Sequence, residues 1–221
     1  IHILATPTPG GILYEVDTRL RPSGQSGLLT TSLEAFADYQ RERAWTWEHQ
    51  ALVRTRMVAG SPALRQQFAA VRREILTQPR ERAVLRDEVE QMRERMRREL
   101  GSRTSQGFDL KQDRGGIADI EFMVQYGALV GAQDYRGLLR YTDNIRLLDE
   151  LERAGELTTA QAQTLARAYR EYRARVHRLT LQEQPAKLAP DAMTETREAV
   201  AAVWSELMKP NANNNAEESG A

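Results

Sequence analysis

From Ser32 the apolar residues recur at intervals of three and four, and with one long polar interruption that pattern holds to about Met208. Such spacing places one face of each segment against a core and excludes a sheet as the main scaffold. Ser32 stands ahead of Leu33-Glu34-Ala35-Phe36 as an N-cap, and the pattern runs through Trp45, Trp47, Leu52 and Val53, with a break near Arg41–Ala44 left open. Ser61-Pro62 restarts a helix carrying Leu64, Phe68, Val71 and Ile75. Another is expected from Pro79 to about Leu100, with Leu85, Val89, Met92, Met96 and Leu100 as its apolar stripe. Its other face, including Glu90, Arg93, Glu94, Arg97 and Arg98, reads as solvated and laced by weak pairs. Gly101–Gly116 is the polar interruption, with Phe108–Lys111 extended inside it. Helices are expected again over Ile117–Val130, Asp143–Ala154, Thr158–Gln184 and Thr194–Met208.

The first 31 residues follow a different rule. TPTPGG (Thr6–Gly11) suits neither helix nor strand, and Ile12–Leu20 alternates with a period of two, as a strand does. Pro22-Ser23-Gly24 ends it. A lone strand pair is not independently stable, so the sheet that it joins is expected upstream of Ile1. The layout is therefore residues 1–31 as the end of a strand-bearing domain, 32–208 as a helical domain, and 209–221 as a disordered tail without large apolar side chains.

Composition narrows the function classes. There are 31 Lys+Arg against 31 Asp+Glu, which leaves no basic arm for nucleic acid. The absence of cysteine removes disulfides, thiolate metal sites and a thiol nucleophile, and is compatible with a reducing cytoplasm. No apolar run approaches the ~18 residues of a membrane span, and no signal peptide is visible. His2, His49 and His177 are scattered without metal-ligand spacing, so each reads as a satisfied or exposed histidine.

Two segments could carry chemistry. In Glu15-Val16-Asp17 the two carboxylates lie on one face of a strand, and a divalent cation would relieve their repulsion; oxygen-only ligands suit Mg²⁺. Arg19 and Arg21 follow closely enough to hold phosphate oxygens. Such patterns are also common on solvent-facing strands, and pattern alone favours that ordinary reading. The second segment is FDLKQDRGGIADIEF, Phe108–Phe122. Gly115-Gly116 before a helix would bare backbone N–H groups for a phosphate, Lys111 could reach the same anion, and Asp119 and Glu121 follow in the first turns. Favourable interaction of those acids with the helix dipole explains them equally well.

Taken in order, GILYEVDTRLRPSGQSGLL, AFADYQRERAWTWEHQALVRTR, FDLKQDRGGIADIEFMVQY and YTDNIRLL make the chain similar to the glutamine synthetase adenylyltransferase/adenylyl-removing family over roughly residues 6–208, and more closely to its C-terminal, adenylylating half. The resemblance implies a mainly α chain: the C-terminal end of an α/β nucleotidyltransferase domain of the polymerase-beta type, followed by a helical bundle. It implies transfer of AMP from ATP to a tyrosine of glutamine synthetase in the cytoplasm, under control of the PII signal protein, with Mg²⁺ held by three carboxylates. Asp17 matches the third of these, with Glu15 beside it; Arg19 and Arg21 match a D-x-R-L-R-P run; Lys111, Gly115, Gly116, Asp119 and Glu121 match a block expected to meet the nucleotide from the helical side. The family's Gly-Ser turn and Asp-x-Asp pair do not occur among the sixteen residues before Asp17, so this polypeptide alone is expected neither to transfer AMP nor to bind ATP·Mg tightly. The alternatives are a helical docking module for PII or glutamine synthetase, and a uridylyltransferase of the PII protein, ranked lower because of the W-x-W-E-H-Q block.

Overall fold

The computed structural model describes residues 6–12, 21–24, 27–101 and 107–208. Glu15, Asp17 and Arg19, nearly all of the expected strand, and the tail from Lys209 lie outside the described residues.

Eight α-helices make up most of the described chain: α1 Leu33–Glu42, α2 Thr46–Val53, α3 Pro62–Leu76, α4 Arg82–Leu100, α5 Ile117–Gly131, α6 Asn144–Arg153, α7 Thr159–Leu181 and α8 Thr194–Leu207, with a 3₁₀ turn at Arg136–Leu139. Half of the starts are set by the caps that the sequence displays. Ser32, Ser61, Asp143 and Thr158 each accept a hydrogen bond from the amide three residues on, a contribution of about 1 kcal/mol apiece. The break left open after Arg41 is real: α1 ends at Glu42, and Glu48 accepts from the Trp45 amide to start α2. The helix expected from Pro79 starts at Arg82 instead, because the Glu81 carboxylate accepts from the amides of Ala83 and Val84.

Helix α5 is the axis. Its sequence is apolar all round rather than on one stripe, which suits a helix enclosed by others. It touches α2, α4, α6, α7 and α8, while α1 and α3 pack together outside α2. Gly127 lets α6 approach: a Cβ there would lie 2.7 Å from the Leu151 side chain. Ile120, Val124, Leu147, Leu148, Leu151, Leu165 and Tyr172 are fully enclosed around α5, each aliphatic side chain contributing about 1.5–3 kcal/mol.

Two features differ from the expectation. Phe108–Asp109 (β1) pairs antiparallel with Lys187–Leu188 (β2), Phe108 opposite Leu188, and that second segment carries no strand signal of its own. Arg93, assigned by its charge to the solvated face of α4, is 0% exposed. It lies in the i, i+4 row of Leu85 and Val89, and a carboxylate from α5 makes its burial tolerable.

Candidate functional site

The loop before α5 is built on its own carbonyls and carboxylates. The Asp109 carboxylate accepts from the amides of Lys111 and Gln112, and Asp113 returns its side chain to the Asp109 amide. The amides of Gly116, Ile117 and Ala118 donate to the carbonyls of Asp113, Leu110 and Lys111. The Gly115 amide donates to Asp119 Oδ2 at 2.7 Å, and its carbonyl accepts from the Tyr172 hydroxyl at 2.8 Å. Gly115 has φ +77°, and a Cβ would lie 2.4 Å from the Arg197 carbonyl oxygen, so only glycine fits. The N–H groups that the Gly-Gly sequence offers to a phosphate are thus turned inward and bonded.

Beneath this turn lies an enclosed ion pair. Asp119 Oδ1 accepts from Arg93 Nε at 2.6 Å, and Arg97 Nη2 approaches the same oxygen at 3.2 Å. Asp119 is 0% exposed. A second Arg93 nitrogen donates to the Gln112 carbonyl at 2.7 Å, and the guanidinium lies 5.8 Å from the Phe122 ring centre. Burial lowers the pKa of Arg93, opposed by Asp119; the ordinary value is so high that the charge persists at neutral pH. Gly115, Gly116 and Asp119 therefore position the loop, and none of them is presented at the surface.

The other residues of the block face outward. Lys111 is exposed. Glu121, with 27% of its side chain accessible, accepts from Arg54 at 2.7 Å and, at longer range, from Asn144 at 3.3 Å and the Tyr169 hydroxyl at 3.4 Å. A carboxylate on α5 thus gathers donors from the end of α2, from α6 and from α7. Arg21, the described member of the D-x-R-L-R-P run, donates to the Gly27 carbonyl and lines a small cavity of about 150 Å³ with Phe36, Trp47, Glu48 and Phe68. The residues expected at the site therefore fall at separate stations: Arg21 beside α1 to α3, Lys111 and Glu121 at the start of α5, and Gly115, Gly116 and Asp119 inside. Among the described residues no group of three His, Asp or Glu side chains could hold a metal ion. His49 is buried, with Nε2 3.0 Å from the Gln40 carbonyl, and Asp143 is the cap that its place suggests. The sequence reading missed Arg93 and also Arg72, which is 8% exposed and donates to the carbonyls of Leu52, Val53 and Leu139. A charge in the middle of an apolar row was the available signal in both cases.

A mainly α-helical chain with one short two-stranded ladder is the class that these features define. The family model for GlnD PII-uridylyltransferase matches residues 83–206, and that for glutamate-ammonia ligase adenylyltransferase matches residues 1–71. The bifunctional glutamine synthetase adenylyltransferase/adenylyl-removing enzymes of Nitrosococcus oceani and Thioalkalivibrio sulfidiphilus are each 54% identical to this chain over 209 residues, 95% of its length. The chain belongs to the glutamine synthetase adenylyltransferase/adenylyl-removing family, and its helical part is of the type shared with the PII-uridylyltransferases. It spans 22% of the length of those two relatives. Among the described residues no helix is long and apolar enough to cross a membrane.

Proposed function

We propose that this chain serves the transfer of AMP from ATP to a tyrosine hydroxyl of glutamine synthetase, as part of a longer cytoplasmic enzyme. The tyrosine oxygen forms a bond to the α-phosphorus, the bond to the β-phosphate oxygen breaks, pyrophosphate leaves, and the phenolic proton passes to solvent. The observation that carries this reading is the 54% identity, sustained over 209 residues, 95% of the chain.

Asp17, with Glu15 two residues before it in sequence, would hold Mg²⁺, and their all-oxygen donor set suits that ion. The metal, when bound, supplies positive charge to the triphosphate and the leaving group. Arg19 and Arg21 offset phosphate charge or anchor the strand. Gly115, Gly116 and Asp119 hold the loop that presents Lys111 to the nucleotide from the helical side, with Glu121 on α5 beside it. In the longer enzyme, Asp17→Asn is expected to abolish adenylylation of glutamine synthetase while leaving the thermal transition in place. Retained turnover would overturn the assignment. The 221-residue chain by itself is expected to transfer no AMP.

The match of residues 83–206 to the PII-uridylyltransferase model supports a second reading, in which the helical part docks PII. Lys111→Ala separates the two. Reduced transfer without PII supports the nucleotide role, whereas an altered PII response alone supports docking.

A further inference from the structure

We propose that a groove between α3 and the 3₁₀ turn is a binding site for a small polyphosphate. The groove encloses about 500 Å³, within the range of small-molecule sites, and six arginines line it: Arg56, Arg65, Arg72, Arg73, Arg136 and Arg140. They come from three places. Arg65, Arg72 and Arg73 belong to α3, Arg56 follows α2, and Arg136 and Arg140 belong to the 3₁₀ turn and its end.

Among the described residues no carboxylate lines the groove. Among the described residues none of the six arginines takes part in an ion pair. The acids next to groove residues in sequence are engaged elsewhere: Glu74 with Arg41 at 2.6 and 2.9 Å, and Asp143 with Arg146 at 2.5 Å. The charge is also fixed in place. Arg72 is held by three carbonyl oxygens, neutral groups that orient the guanidinium without cancelling it. Arg65 donates to the Met57 carbonyl, and Arg140 lies 5.1 Å from the Tyr141 ring centre.

Six like charges converging on one concavity call for a compact counter-anion, and guanidinium forks match phosphate oxygens in pairs. A concave site of this size suits a di- or triphosphate chain better than the flat, extended surface of an acidic protein. Thr55 and Phe68 line both this groove and the cavity of Arg21, so the site adjoins Arg21 and Pro22. The inference stands on this geometry and does not require the transfer reaction.

The test is titration calorimetry of the full 221-residue chain with inorganic tripolyphosphate and, separately, with metal-free ATP. Arg136→Ala/Arg140→Ala is expected to weaken tripolyphosphate binding at least tenfold, whereas Arg170→Ala/Arg175→Ala, with the same loss of net charge on exposed positions of α7, leaves it unchanged. Arg73→Ala provides an independent variant, and melting curves check that all of these remain folded. If ATP binds more tightly than tripolyphosphate and loses affinity in parallel, the ligand is a nucleotide; equal affinities identify the phosphate chain alone. Equal weakening by both double variants, no binding of either anion, or a glutamate octapeptide binding as tightly as tripolyphosphate would overturn the proposal.

Discussion

The molecule buries two arginines by opposite means. Beneath the first turn of α5, Arg93 meets the carboxylate of Asp119 in a closed seat, and Arg97, which reaches the same oxygen, is itself paired with Glu94. At the end of α2, Arg72 meets only carbonyl oxygens, and its seat keeps a full positive charge at the floor of an open groove. A charge neutralised by a carboxylate serves the fold alone. A charge solvated by dipoles stays available to an anion. Local chemistry at two similar side chains thus separates a structural site from a candidate binding site.

The largest effect is expected from the closed seat. Asp119→Asn strands the Arg93 guanidinium and should cost about 3–5 kcal/mol in urea unfolding. Arg72→Met should cost less, about 2 kcal/mol, because it removes charged hydrogen bonds from carbonyls but leaves no unpaired ion. A larger loss at Arg72 than at Asp119 would break the comparison. His49 sharpens it by showing a third solution, in which a buried base stays neutral. Burial lowers its pKa, and Nδ1 finds no partner among the described residues. Above the ordinary histidine value of about 6.5 neither state is charged; below it the unfolded chain takes up a proton that the folded chain refuses, so stability falls with falling pH. The slope from this position is at most about 1.4 kcal/mol per pH unit. His49→Gln, compared with the parent in urea midpoints between pH 7.5 and 5.5, should be less sensitive to acid. The smallest effect belongs to the surface. Arg41→Ala, which breaks the exposed pair with Glu74, should barely move the midpoint.

Much of the helical layout was legible because caps and apolar spacing act locally. Ser32, Ser61, Asp143 and Thr158 mark helix starts within a few residues of the apolar stripes that they serve. The partnership of Arg93 with Asp119 was not legible. It joins residues 26 apart, and a charged side chain sorts to solvent in any periodic reading. The same holds for Lys187–Leu188, whose strand character exists only because β1 lies beside it. At the candidate site, the sequence displayed the residue types of the Lys111–Glu121 block. The inward turn of the Gly115 amide depends on Asp119, Tyr172 and the backbone of Arg197, which no local pattern brings together.

The short β1–β2 ladder has a consequence for how the chain is made. Phe108 leaves the ribosome long before Leu188, its partner, has been translated. Until α7 and α8 arrive, the Gly115 carbonyl lacks Tyr172, and the turn that covers Arg93 has no lid of backbone from Arg197 above it. Helices α1 to α4 can therefore collapse early as a nascent unit, whereas sealing of the ion pair beneath α5 is a late, long-loop event that waits until Tyr172 and Arg197 have been translated.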